Sequence, residues 1–194
     1  MITPEEILLL STYSKSELIG GLILGEWAAR SKDAYIRSKL TMHAAEEIGH
    51  AAYLTQALAE LGSLPADVCD ESGDQYYARA GRPKNEVEVL AMTEAFEPIA
   101  LHHYRAHVQT AGVNPVIVDI LNKIIKEEQH ASWVSDWLDK YSDQNMVSEA
   151  RQRYSSIIKE VYEKELKRLE KSGNPILMGI ADTSRELYKH ESGH

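Results

Sequence analysis

Residues 34–62 read AYIRSKLTMHAAEEIGHAAYLTQALAELG, a pattern that an amphipathic helix satisfies and a strand does not. Apolar residues recur every three or four positions and no proline interrupts them. Asp33 and Gly62 stand where an N-cap and a left-handed C-cap belong. The spacing predicts a helix from Ala34 to Leu61. One stripe of it carries Ile36, Leu40, His43, Glu47, His50, Leu54 and Leu61, so ionisable groups interrupt an apolar face. Burying such groups is costly unless they are paired or bound to a cation.

The flanking sequence extends the same pattern. Thr3-Pro4-Glu5-Glu6 opens an earlier helix, with Thr3 as cap and Pro4 at its first position, running to about Arg30. Ser31-Lys32-Asp33 is the turn between the two helices. From Gly62 to Asn85 the composition shifts to Gly, Pro, Ser and Asp, which reads as a crossover long enough to carry the chain along a bundle. A third helix spans Glu86 to Thr110, and Pro115 opens a fourth to about Lys140. Val147 to Lys171 and Pro175 to Lys189 follow, split by Ser172-Gly173-Asn174. The expectation is an all-α chain of one domain, residues 1–194. Two antiparallel helical hairpins form a four-helix core over 1–140, and C-terminal helices occupy 141–194.

Composition narrows the function classes. The 194 residues suit one domain with a real core, and 43% apolar with 26% charged residues excludes general disorder. Acidic residues outnumber basic ones 30 to 21, a net charge of −9 that argues against nucleic acid as a partner. The single cysteine, Cys69, provides neither a disulfide framework nor a thiolate zinc site. Ile7 to Leu10 is too short for a signal-peptide core, and nothing approaches the roughly 20 apolar residues a membrane helix needs. These features read as a cytoplasmic protein without a membrane partner.

Each hairpin carries Glu-x-x-His on its second helix, Glu47-Ile-Gly-His50 and Glu127-Glu-Gln-His130. At i, i+3 both side chains leave one face, so a helix can offer a carboxylate and an imidazole to one metal. This composition yields about one such pair by chance, and a third copy, Glu191-Ser-Gly-His194, fits accident. Helix heights are more selective. Measured from the first turn, Glu47 lies about 23 Å along its helix and Glu17 about 22 Å along the opposing one, whereas Glu26 reaches only about 8 Å. From the second turn, Glu127 lies at about 22 Å and Glu97 at about 23 Å; Glu94, on the same face, lies at about 28 Å. Pro98 removes a backbone bond to the carbonyl of Glu94 and lets this segment adjust. The candidate metal ligands are therefore Glu17, Glu47, His50, Glu97, Glu127 and His130, with Glu94 replacing or joining Glu97. Converging carboxylates repel unless cations neutralise them, and oxygen ligands with two imidazoles suit iron or manganese.

This arrangement resembles the ferritin-like di-iron carboxylate superfamily over about residues 10 to 140. Ser16-Glu17-Leu18-Ile19-Gly20 and Glu46-Glu47-Ile48-Gly49-His50-Ala51-Ala52-Tyr53-Leu54 are similar to the first hairpin of the phenylacetyl-CoA epoxidase catalytic-subunit family. Lys126-Glu127-Glu128-Gln129-His130 is similar in character on the fourth helix, displaced by one residue. The resemblance implies a ferritin-like bundle, two iron ions or a manganese–iron pair, and an O2-dependent oxygenase or hydroxylase. Such an enzyme acts on a small organic substrate and draws on an external electron donor; a homodimer is compatible with it. The alternative from another class is iron handling: ferroxidase, storage or peroxide scavenging. The segments after Lys140 exceed a minimal storage subunit and favour the enzyme.

Other residues carry weaker expectations. Gly20, Gly21 and Gly25 in the first helix, and Gly49 in the second, read as close helix packing or as room for a substrate. His43 reads as a supporting or core histidine before it reads as a ligand. Tyr13, one turn before Glu17, is placed to hydrogen-bond a ligand carboxylate. His102, His103 and His107 read as surface or packing residues.

Overall fold

The computed structural model describes residues 2–68, 75–127, 132–141 and 143–191, and among these every regular element is helical. α1 (Pro4–Arg30) and α2 (Ala34–Glu60) form the first hairpin. Its entry is fixed by a reciprocal capping box between Thr3 and Glu6. At the turn, Asp33 accepts from the amides of Tyr35 and Ile36, and the Arg37 guanidinium donates to the carbonyl of Ser31. Gly62 ends α2 with a φ of 72°, the left-handed value its position required.

The crossover is not structureless. It contains α3 (Gln75–Ala80), a short helix whose sequence gives no long-range periodicity to read. α4 (Glu86–Gln109) follows, capped by Asn85 and helical through Pro98. The expected fourth helix is described as α5 (Pro115–Glu127) and α6 (Ser132–Leu138). α7 (Gln144–Glu170) and α8 (Pro175–Glu191) complete the chain.

α4 is the hub. It packs against α1, α5, α6, α7 and α8, and it is buried on more than one face. Of the two roles expected for His102, His103 and His107, surface or packing, burial of all three leaves packing. α7 and α8 cover a side of α4 that its own residue pattern did not mark as interior.

The apolar core falls into two clusters with a polar layer between them. On α2, Ile36, Leu40 and Ala44 belong to one cluster and Leu54 and Leu58 to the other, with Glu47 and His50 between. On α1 the order reverses, Leu9, Leu10 and Tyr13 preceding Glu17, and Leu24 and Ala28 following it. α4 repeats the pattern, from Leu90 and Phe96 through Glu97 to Ile99 and Tyr104.

By length and composition α1 could cross a membrane, with a mean hydropathy of 1.3 over 18 residues. Half of that window is buried inside the protein, and core helices pass the same test. This corrects the expectation that nothing approaches a membrane span: Ser11, Thr12, Ser14 and Ser16 interrupt the apolar residues of α1, yet the stretch is apolar on average.

Two of the α1 glycines permit close packing. A Cβ on Gly21 would lie 2.7 Å from Ile48 Cγ1 and 3.0 Å from the carbonyl oxygen of Ala44. A Cβ on Gly20 would lie 2.6 Å from the Tyr77 hydroxyl and 3.1 Å from Glu47 Oε2, so this one admits side chains of the polar layer. At Gly25 the nearest contact, Ala44 Cβ at 3.9 Å, is ordinary. Gly25→Ala should therefore raise stability by up to about 1 kcal/mol through helix propensity. Gly21→Ala should lower it by about 1–3 kcal/mol through overpacking. Urea unfolding of the two variants checks the opposite signs.

Candidate metal centre

The polar layer gathers side chains from four helices. α1 contributes Glu17, α2 contributes His43, Glu47 and His50, α4 contributes Glu97, and the end of α5 contributes Glu127. On α2 the three residues fall one turn apart, so an unbroken helix aims them along one line. Two groups of three can each offer ligand atoms lying within 4.8 Å of one another: Glu17, Glu47 and His50, and His43, Glu47 and Glu97. Glu47 belongs to both, as a carboxylate between two cations would.

Short contacts hold this geometry. His50 Nδ1 lies 3.4 Å from Glu17 Oε2, and its Nε2 lies 3.4 Å from Glu127 Oε2. His43 Nε2 lies 2.8 Å from Glu97 Oε1 and 3.3 Å from Glu47 Oε1. Tyr104 donates its hydroxyl to Glu17 Oε1. The other oxygen, Oε2, is buried without a hydrogen-bond partner among the described residues. A buried, hydrogen-bond-deficient carboxylate oxygen beside an imidazole is a donor set that a cation would complete. Three buried or nearly buried carboxylates with two imidazoles give a hard, nitrogen- and oxygen-based set suited to iron or manganese.

Glu17, Glu47, His50, Glu97 and Glu127 are thus brought to one level, though the Glu127 side chain is 42% exposed and sits at the edge. His130 lies outside the described residues, as does the tail pair's His194. Glu94 does not join the group: it points to α7, where its carboxylate accepts from Arg151 Nε at 2.6 Å and Nη2 at 2.7 Å. The third-helix heights left Glu94 open, and a residue on a later helix decides it. His43 stands among the ligand-capable residues, which the sequence reading placed second to a supporting role. The carboxylate-holding hydroxyl is Tyr104; Tyr13 instead packs edge-on against the Tyr104 ring at 5.0 Å.

A cavity of about 70 Å³ opens beside the cluster. Glu17, Glu47 and Glu97 border one part of it, and Tyr76, Tyr77 and Phe96 give it aromatic walls. The two tyrosines come from α3, and the sequence signal that could have found them is Gln75-Tyr76-Tyr77-Ala78-Arg79-Ala80, helix-compatible and followed by Gly81.

Behind this layer burial favours the neutral forms of His103 and His107. Burial holds His107 down to about 3 from 6.5, and neither ring nitrogen has a hydrogen-bond partner among the described residues. His103 is likewise held to about 3 by burial, with His102 and Arg168 adding to the effect. Their unfolded forms take up a proton below about pH 6.5 while the folded forms do not, so the stability they contribute is complete above that pH and falls towards pH 3. Each should add about 1.4 kcal/mol per pH unit to the acid slope of stability. Unfolding midpoints between pH 6.5 and 4.5 should show a shallower slope for His107→Leu by about that amount.

Compared with known proteins, the chain matches no family model and no curated sequence.

Proposed function

We propose that this chain is a ferritin-like, non-haem dimetal oxygenase that uses two iron ions, or a manganese–iron pair, to oxidise a small organic molecule with O2. The observation that carries this reading is the pair of buried ligand groups sharing Glu47, set directly against an aromatic-walled cavity. Iron handling needs the ligands but not the cavity, which is why the oxygenase is favoured over a ferroxidase, storage or peroxide-scavenging role. The ferritin-like bundle and the likeness to the phenylacetyl-CoA epoxidase family belong to the same proposal, as do cytoplasmic location, a homodimer and an external electron donor.

Glu17, His50 and Glu127 would hold one ion and His43 and Glu97 the other, with Glu47 between them. Bound there, the metals supply the redox capacity to activate dioxygen. The protein's own contribution is positional. Tyr104 fixes one oxygen of Glu17 so that the other faces His50, and the helical spacing of His43, Glu47 and His50 sets the distance between the two groups. Tyr77 and Phe96 shield the cavity, limiting water beside the reacting groups. Hydroxylation balances with O2, two electrons from the donor and two protons: one oxygen enters a new C–O bond and the other leaves as water.

Anaerobic loading with Fe(II) tests the proposal directly. About two irons per chain are expected in the intact protein, fewer in Glu47→Ala and Glu127→Ala, and an unchanged number in Glu94→Gln. Absence of specific iron in the intact protein would sink the dimetal reading. Iron accumulating far beyond that ratio on aeration would point to iron handling instead.

A further inference from the structure

The cavity lining carries a second polar group that the metal centre does not use. Glu165 of α7 lines it together with Tyr76 of α3 and His103 of α4. His103 Nε2 lies 3.2 Å from the Tyr76 hydroxyl and 3.4 Å from Glu165 Oε2. Tyr76 also donates a hydrogen bond to the Glu165 carboxylate, and burial pushes that carboxyl's pKa upward. Arg168 reaches Glu165 Oε1 only at 3.8 Å, from a partly exposed position, and no Lys or Arg is among the residues lining the cavity.

The lining therefore combines the Glu17, Glu47 and Glu97 cluster and Glu165 with the apolar or aromatic Phe96, Ile99 and Ala100. If the clustered carboxylates are neutralised by metal, Glu165 remains the one acidic group of the lining. An anionic ligand placed there would meet a carboxyl group and two groups already engaged with it. A ligand bearing an N–H or O–H donor would gain a hydrogen bond in a low-dielectric setting, and a cation would also gain from the aromatic walls. At about 10–15 Å³ for each water-sized volume, the cavity takes a ligand portion of about five non-hydrogen atoms.

Resting on the oxygenase reading, we infer that the substrate is a small neutral or cationic molecule whose amine, amide or hydroxyl end is anchored by Glu165. Its apolar body then lies along Phe96 and Ile99, and its other end faces the Glu17, Glu47 and Glu97 cluster. Glu165 is a specificity-determining residue, and Tyr76 and His103 position it.

Ligand-observed NMR on the iron-loaded, anaerobic full chain tests this with three probes of one shape: propylamine, propanol and propionate. The amine and the alcohol should bind, and Glu165→Leu should weaken both by about tenfold or more, the size of a lost buried hydrogen bond. Glu165→Gln should keep the alcohol and weaken the amine. Propionate should not lose affinity in Glu165→Leu. Amine and alcohol affinities that are unchanged in Glu165→Leu, or propionate binding tightest to the intact protein through Glu165, would overturn the proposal. Metal content measured on the same samples separates the two readings. Glu165 variants that keep their iron but lose the amine support the anchor, whereas Glu165-dependent binding in a chain that takes up no iron rejects the oxygenase alone.

Discussion

The burial of carboxylates in the middle of the protein constrains everything else. A layer holding Glu17, Glu47 and Glu97 separates two apolar clusters, and neither cluster can close over it without giving those charges partners. His43 and His50 provide part of the answer, bridging carboxylates on different helices, and Tyr104 provides another. The long helices follow from the same requirement. Only elements of this length can bury apolar surface at both ends while presenting polar groups at one height in the middle.

Much of this was legible in the sequence because helices convert residue number into distance. Caps at Thr3 and Asp33 and the left-handed glycine at position 62 set the boundaries of the first hairpin within a residue or two, whereas α7 begins at Gln144, three residues before the expected Val147. The turn arithmetic placed Glu17 opposite Glu47 and matched Glu97 to Glu127 without any knowledge of packing. These inferences depend only on local geometry and a short connection, and such information is present in a single chain segment.

What failed to show depended on distant partners. Glu94 and Glu97 share a face of α4, and Arg151, more than fifty residues later, takes one of them away from the site. His102 and His103 are buried because α7 and α8 lie across them: His102 hydrogen-bonds Ser184 and Tyr162, and His103 pairs with Glu165. Nothing in the spacing of α4 says on how many sides it will be covered. Tyr13 was the partner expected for Glu17 from its spacing on α1, and the hydroxyl that reaches it comes from Tyr104 on α4. α3 escaped for a different reason, since six residues are too few to establish a period.

That short helix has a consequence for how such a protein can change. The side chains that would hold metal are spread over α1, α2, α4 and α5, where almost any substitution also disturbs the core. Tyr76 and Tyr77, which wall the cavity, come from a connecting segment that packs chiefly on α7. Part of the cavity wall is thus written on a stretch of chain separate from the helices that would hold the metals. A lineage, or an engineer, can redraw that part of the chamber by editing the link between the hairpins while leaving the helices beneath it intact.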